Sequence, residues 1–80
     1  MTKPEVLTVD REEKKVLRVV AKWNTVQVIF VADEKGNPVI SARINTEGLR
    51  GNEGTYIPPR RYAEMMRMAY AIFKGPKKEV

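Results

Sequence analysis

The stretch KVLRVVAKWNTVQVIFVA, residues 15–32, decides the fold class of this chain. Its second half, residues 25–32, is nearly continuous in valine, isoleucine and phenylalanine, which favour strands. Its first half, residues 15–23, fits either a strand or a helix with Asp10 as N-cap and Glu13 closing a capping box. We favour the strand, because three valines raise the β-propensity and a hairpin partner follows at once.

Further strands are predicted on both sides of this hairpin. Residues 33–37 form a turn in which Gly36 can adopt a positive φ, and residues 38–45 form the next strand. Upstream, residues 5–9 are a candidate edge strand and residues 10–14 a charged turn. Because the connections are short, we expect an antiparallel meander of three to four strands.

The alternation of residues assigns the two faces of this predicted sheet. The residues expected to face the core are Leu17, Val19, Ala21, Trp23, Val26, Val28, Phe30, Ala32, Ile40, Ala42 and Ile44. The residues expected to face away are Val16, Arg18, Val20, Lys22, Gln27, Ile29, Val31, Val39, Ser41, Arg43 and Asn45. This outward face mixes apolar and basic groups, so it is too polar for a core and too apolar for plain solvent.

A single helix is predicted at the C-terminal end of the chain. Pro58 and Pro59 suit a first helical turn, the apolar periodicity runs from residue 59 to residue 74, and Gly75 is a stop signal. The prediction is therefore one α+β domain over residues 1–80, a β-meander followed by one C-terminal helix packed on the sheet. Residues 1–4 and 75–80 are expected to be loose tails.

The apolar arc of this helix spans roughly 200°, about twice the stripe of an ordinary surface helix. Either the helix is seated deeply in a small core, or part of the arc contacts a second copy. A chain of 80 residues without disulfides gains from association, because one small core contributes only about 3–5 kcal/mol. We therefore predict a homodimer in which Met65, Met68 and Ile72 form the interface.

Composition excludes several classes of function. The chain has 15 basic and 10 acidic residues, a net charge of +5, and neither Cys nor His. Disulfides, zinc sites built from Cys or His, a His proton shuttle and a Cys nucleophile are therefore impossible. No apolar run approaches the roughly 20 residues of a membrane span, and no signal peptide is recognisable. We expect a cytoplasmic protein without membrane contact, metal or cofactor, whose many charges fit heat adaptation.

Catalysis is not expected either. The acidic residues lie in charged turns without any sign of burial, and Ser41 has no histidine to activate it. The glycines around Arg50 match neither the Walker nor the dinucleotide-binding spacing, so no small-molecule substrate is predicted. That segment can instead be a loop that folds over a bound strand, or an ordinary connection.

The positive charge is concentrated near the C-terminus, where residues 60–78 hold six basic residues and one acid. Such a segment attracts phosphate, and a mixed apolar and basic sheet face suits unpaired bases. Trp23 and Tyr56 are the aromatic candidates for stacking, although Trp23 also fits a cap on the core. The residues predicted to bind nucleic acid are Arg18, Lys22, Trp23, Arg43, Arg50, Tyr56, Arg60, Arg61 and Arg67.

The order of elements over residues 15–74, with the passage Tyr56-Ile57-Pro58-Pro59 leading from strand and loop into the helix, resembles known families. It is similar to the single-stranded-DNA-binding domains of the transcriptional-coactivator and Whirly type, and to archaeal ThermoDBP-type proteins. In those families strands and loops hold the single strand, and dimerisation builds the groove. The resemblance implies a non-catalytic protein that binds single-stranded DNA or RNA.

Two other functions stay open at the level of sequence. The chain can be a protein-interaction subunit of a larger transcription or replication complex, or a chaperone of RNA or double-stranded DNA. The leading hypothesis is a homodimer that binds single-stranded nucleic acid with little sequence preference.

Overall fold

Four antiparallel strands in chain order form the sheet, and one helix follows them. The computed structural model describes residues 3–47 and 54–75. The strands are β1 (Glu5–Glu12), β2 (Lys15–Trp23), β3 (Val26–Ala32) and β4 (Pro38–Asn45), in the order β1-β2-β3-β4, and the helix is α1 (Pro59–Lys74). The predicted α+β class, a meander with a C-terminal helix packed on it, is confirmed, and residues 15–23 are a strand.

Tight turns join the strands. Glu12 pairs with Lys15 across the first turn, so β1 is longer than predicted and the charged turn shrinks to two residues. Asn24 turns the β2–β3 hairpin with a φ of 57°. In the third turn Gly36 has a φ of 85°, and the carboxylate of Asp33 accepts the backbone N–H of Lys35 at 2.9 Å.

A β-bulge in β2 changes the predicted faces. Asp10 pairs with Arg18 and Arg11 with Val16, so Leu17 is the extra residue. As a result Val16 is buried, with 6% of its surface exposed, whereas Leu17 is 42% exposed. The assignment of these two neighbours from simple alternation was therefore wrong.

A second bulge, at Ser41 in β4, has a larger effect. Ile29 pairs with Ala42 and Phe30 with Ile40, which skips Ser41 and reverses the alternation for the rest of the strand. Beyond the bulge, Ala42 and Ile44 share the outer face with Ile29 and Gln27, while Arg43 and Asn45 share the helix side with Val28 and Val26. The predicted orientation of these four β4 residues, Ala42 to Asn45, was wrong.

The core lies between the sheet and α1. Val19, Val28, Phe30 and Met65 have no exposed surface, and Ala69 has 1%. The helix contacts β2 and β4, and its apolar arc supplies further partly buried side chains to the same cluster. Met65 is therefore a core residue, which corrects its predicted place in a contact between helices. Ile72 also packs on this cluster, while Met68 is half-buried at its margin.

Asn45 fastens the segment before the helix to the end of β4. Its side-chain amide donates to the carbonyl of Gly54 at 2.6 Å and its Oδ1 accepts the N–H of Glu47 at 2.7 Å, and the residue is 8% exposed. Buried polar groups need such partners. The bulge at Ser41 is what turns this amide inward, so the entry to the helix depends on the bulge.

Within the described ranges, no helix combines the length and apolar character required to cross a bilayer.

Candidate nucleic-acid interface

The structure divides the predicted binding residues between two separate surfaces. Arg18 and Lys22 lie on the outer face of the sheet, the face opposite α1. Both have an acidic neighbour on β1: Arg18 contacts the carboxylate of Asp10 at 2.8 Å, and Lys22 lies 4.0 Å from that of Glu5. These half-exposed pairs are cross-strand neighbours in the β1–β2 ladder. The two carboxylates therefore largely neutralise the positive charge of Arg18 and Lys22.

The other half of the outer face is apolar and uncharged. The outward residues of β3 and β4 are Gln27, Ile29, Val31, Val39, Ala42 and Ile44. Val39 and Ile44 keep 41% and 44% of their surface exposed, and no aromatic ring lies among them. This surface offers apolar contact but neither the stacking rings nor the unbalanced cations that hold a single strand.

The solvent side of α1 has the opposite character. Arg60, Arg67 and Lys74 recur every seven residues, so they line one stripe with about 10.5 Å between neighbours. Arg60 and Arg67 are exposed, and among residues 3–47 and 54–75 neither forms an ion pair. The ammonium of Lys74 donates to the carbonyl of Lys35 at 3.3 Å, which leaves its charge unbalanced.

Tyr70 belongs to the same stripe, and sequence reasoning missed it as a binding residue. It lies three residues after Arg67 and four before Lys74, so the three side chains are neighbours on the helix surface. Its side chain is 52% exposed. The spacing of Tyr70 from Arg67 and Lys74 is the signal in the sequence that could have identified it.

Tyr56 lies at the entry to the helix, between two buried residues. Its neighbours Thr55 and Ile57 are each 4% exposed, whereas Tyr56 is 73% exposed. The backbone is anchored on both sides of Tyr56, and the carbonyl of Gly54 accepts a hydrogen bond from Asn45. The ring is therefore directed into solvent. An exposed ring at this position can stack on a base.

Arg43 lies on the helix side of the sheet, because it pairs with the buried Val28. Its side chain remains exposed, since β4 is an edge strand. We use the name helix-side cationic surface for the cations of this side that have no carboxylate partner among the described residues, together with the two exposed tyrosines. Its members are Arg43, Tyr56, Arg60, Arg67, Tyr70 and Lys74.

Besides Arg18 and Lys22, two predicted residues that the structure describes do not join this surface. Arg61 donates to both carboxylate oxygens of Glu64, at 3.0 and 3.1 Å, with its side chain 17% exposed, so its charge is balanced. Trp23 lies on the core side and packs against the core cluster, as its alternative assignment as a core cap predicts. Arg50 lies outside the described residues.

Among the residues that the structure describes, no cluster of acidic side chains has the form of a metal site. Comparison of the chain with protein-family models, with curated proteins and with solved structures finds no match. A proposal about function therefore depends on the chemistry of the surfaces described above.

Proposed function

We propose that this chain is a non-catalytic, homodimeric protein that binds single-stranded DNA or RNA with little sequence preference in the cell interior. One observation carries the proposal: the helix-side cationic surface combines cations that have no carboxylate partner among the described residues with two exposed tyrosines. Cations neutralise phosphates and rings stack on bases, and unpaired strands present both groups.

The dimensions of the surface suit a short strand. From Arg60 to Lys74 the stripe is about 21 Å long, which equals roughly six nucleotides at about 3.4 Å per stacked step. Binding sites for single strands occupy about 4–16 nucleotides. Three or four cations would contact phosphate along this length.

Single strands are favoured over a duplex because of the tyrosines. A ring can stack only on a base that is not already stacked between neighbours. We therefore expect weak discrimination between sequences and a clear preference for unpaired strands.

The direct test is a titration of a labelled 20-nucleotide oligothymidine across a series of salt concentrations, with duplex DNA and RNA as competitors. We expect log K to fall linearly with log salt, with a slope of about −2 to −3 for three to four phosphate contacts. Absence of binding at low salt, or binding insensitive to salt, would contradict the proposal. Preferential competition by duplex would favour the double-stranded alternative.

Removal of the Tyr56 ring should weaken binding strongly. Stacking of one base on an aromatic ring contributes about 1–3 kcal/mol, so Tyr56→Ala should raise Kd about 5- to 160-fold. Because the side chain is 73% exposed, the fold should be unaffected. Tyr56→Phe is the matched control and should keep nearly full affinity, since it retains the ring. If Tyr56→Ala binds like the parent chain, Tyr56 does not stack.

A protein-interaction subunit is the second candidate, and one observation favours it. The uncovered, uncharged half of the outer face, with Val39 and Ile44 exposed, is the kind of surface that another protein covers. This reading leaves the cations of the helix side without a role, so we place it second.

A further inference from the structure

We infer that the apolar half of the outer sheet face, formed by the outward residues of β3 and β4, packs against the same surface of a second copy of this chain. The inference deepens the proposed function, and rests on it for the homodimeric state. It transfers the dimer contact from the helix, where the sequence suggested Met65, Met68 and Ile72, to the sheet.

Charge is the first reason for choosing a second copy. Each chain has a net charge of +5, so two copies repel unless the contact surface is neutral. The outward residues of β3 and β4 include no charged side chain. Next to them, Arg18 and Lys22 are balanced by Asp10 and Glu5. The outer face is therefore a surface on which two identical cationic chains can approach.

The same comparison argues against a contact between helices. The solvent side of α1 presents Arg60, Arg67 and Lys74, and a two-fold axis there would bring like charges together. Met65 is completely buried in the monomer. Met68 and Ile72 are both half-buried, and Ile72 also packs on the core cluster.

The arrangement of the outer face is that of an interface. Its apolar part lies on β3 and the edge strand β4, with Ile29, Val39 and Ile44, and the polar ion pairs of β1 and β2 border it on the other side. Stable interfaces combine an apolar centre with a polar rim. A nucleic acid would find no ring and little unbalanced charge there, so a like surface is the better occupant.

The area available predicts a dimer of modest affinity. The apolar half, two strands about 4.8 Å apart and about seven residues long, has a projected face of about 10 by 23 Å, and β1 with β2 extends the whole outer face to about 19 by 23 Å. The whole face is therefore on the order of 440 Å² per copy, below the roughly 800 Å² of a standard interface. We therefore expect the dimer to dissociate on dilution.

The test is sedimentation velocity of the full chain from about 1 to 500 μM, for the parent, Ile44→Lys and Met68→Lys. The parent should shift from monomer to dimer with concentration, Ile44→Lys should remain monomeric, and Met68→Lys should behave like the parent. Because Ile44 is 44% exposed, its replacement should leave the circular dichroism spectrum unchanged. A parent that stays monomeric, or a dimer dissociated by Met68→Lys but not by Ile44→Lys, would overturn the inference.

A strand-binding titration on the same samples separates this inference from the proposed function. Ile44→Lys should still bind the single strand through the helix side of the monomer, with at most a loss of the avidity of the dimer. If the variant remains a dimer but loses binding, the outer face holds the nucleic acid and the inference is wrong. If the parent dimerises as expected but binds no strand, the inference stands and the proposed function fails.

Discussion

Simultaneous replacement of Arg60 and Arg67 by glutamine should reduce the affinity for a single strand about 25-fold at 0.1 M salt. Both guanidinium groups are exposed on the solvent side of α1 and form no ion pair among the residues that the structure describes. Each phosphate contact contributes about 0.7 to the salt slope of a single strand. Loss of two contacts therefore reduces the magnitude of the salt slope by about 1.4. At 0.1 M, one decade below 1 M, log K falls by about 1.4, which is the 25-fold loss of affinity.

A charge-matched control is available on the β1–β2 hairpin. Arg18 and Lys22 have side chains 53% and 41% exposed on β2, and Arg18→Gln with Lys22→Gln removes the same two positive charges on the face opposite α1. This control should change affinity only slightly. If the two double variants weaken binding equally, attraction depends on net charge alone, and the helix-side cationic surface is not the site.

The replacement Phe30→Ala should leave the chain largely unfolded at 25 °C. Phe30 has no exposed surface and is the largest fully buried side chain of the described core cluster between the sheet and α1. Truncation of a buried phenylalanine costs about 3–5 kcal/mol, because it removes transfer free energy and leaves a cavity. That equals the whole stability expected of a core this small.

Urea unfolding followed by circular dichroism measures this effect, with Leu17→Ala as the comparison. Leu17 is 42% exposed at the bulge in β2, so its truncation should lower the unfolding free energy by less than about 1 kcal/mol. If Phe30→Ala unfolds at the same urea concentration as the parent, the described core does not stabilise the fold. A retained helical signal in Phe30→Ala would lead to the same conclusion.

The elements were predictable because each depends on local signals. Valine and isoleucine along residues 15–32 favour strands, short polar turns require antiparallel neighbours, and Pro59 with Gly75 limits the helix. The bulges were not predictable, because an extra residue in one strand follows from how the sheet curves over the helix. One extra residue at Ser41 was enough to exchange the faces of Arg43 and Ile44.

The candidate site was partly predictable for a similar reason. The residue types were correct, since arginines and tyrosines appear in the sequence whatever the fold. Which cations stay unbalanced depends on cross-strand register, and this register places Asp10 beside Arg18 and Glu5 beside Lys22. A charge pair between strands is a nonlocal contact, so counting charges along the chain cannot reveal it.

The amino-acid order by itself determined the strands, the helix, their sequence along the chain and the excess of positive charge, because these follow from properties of neighbouring residues. Only the tertiary structure decided which arginines face solvent without a carboxylate, which methionine is buried and which half of the sheet stays apolar. Those outcomes depend on the packing of α1 over a bulged sheet, where residues distant in sequence become neighbours.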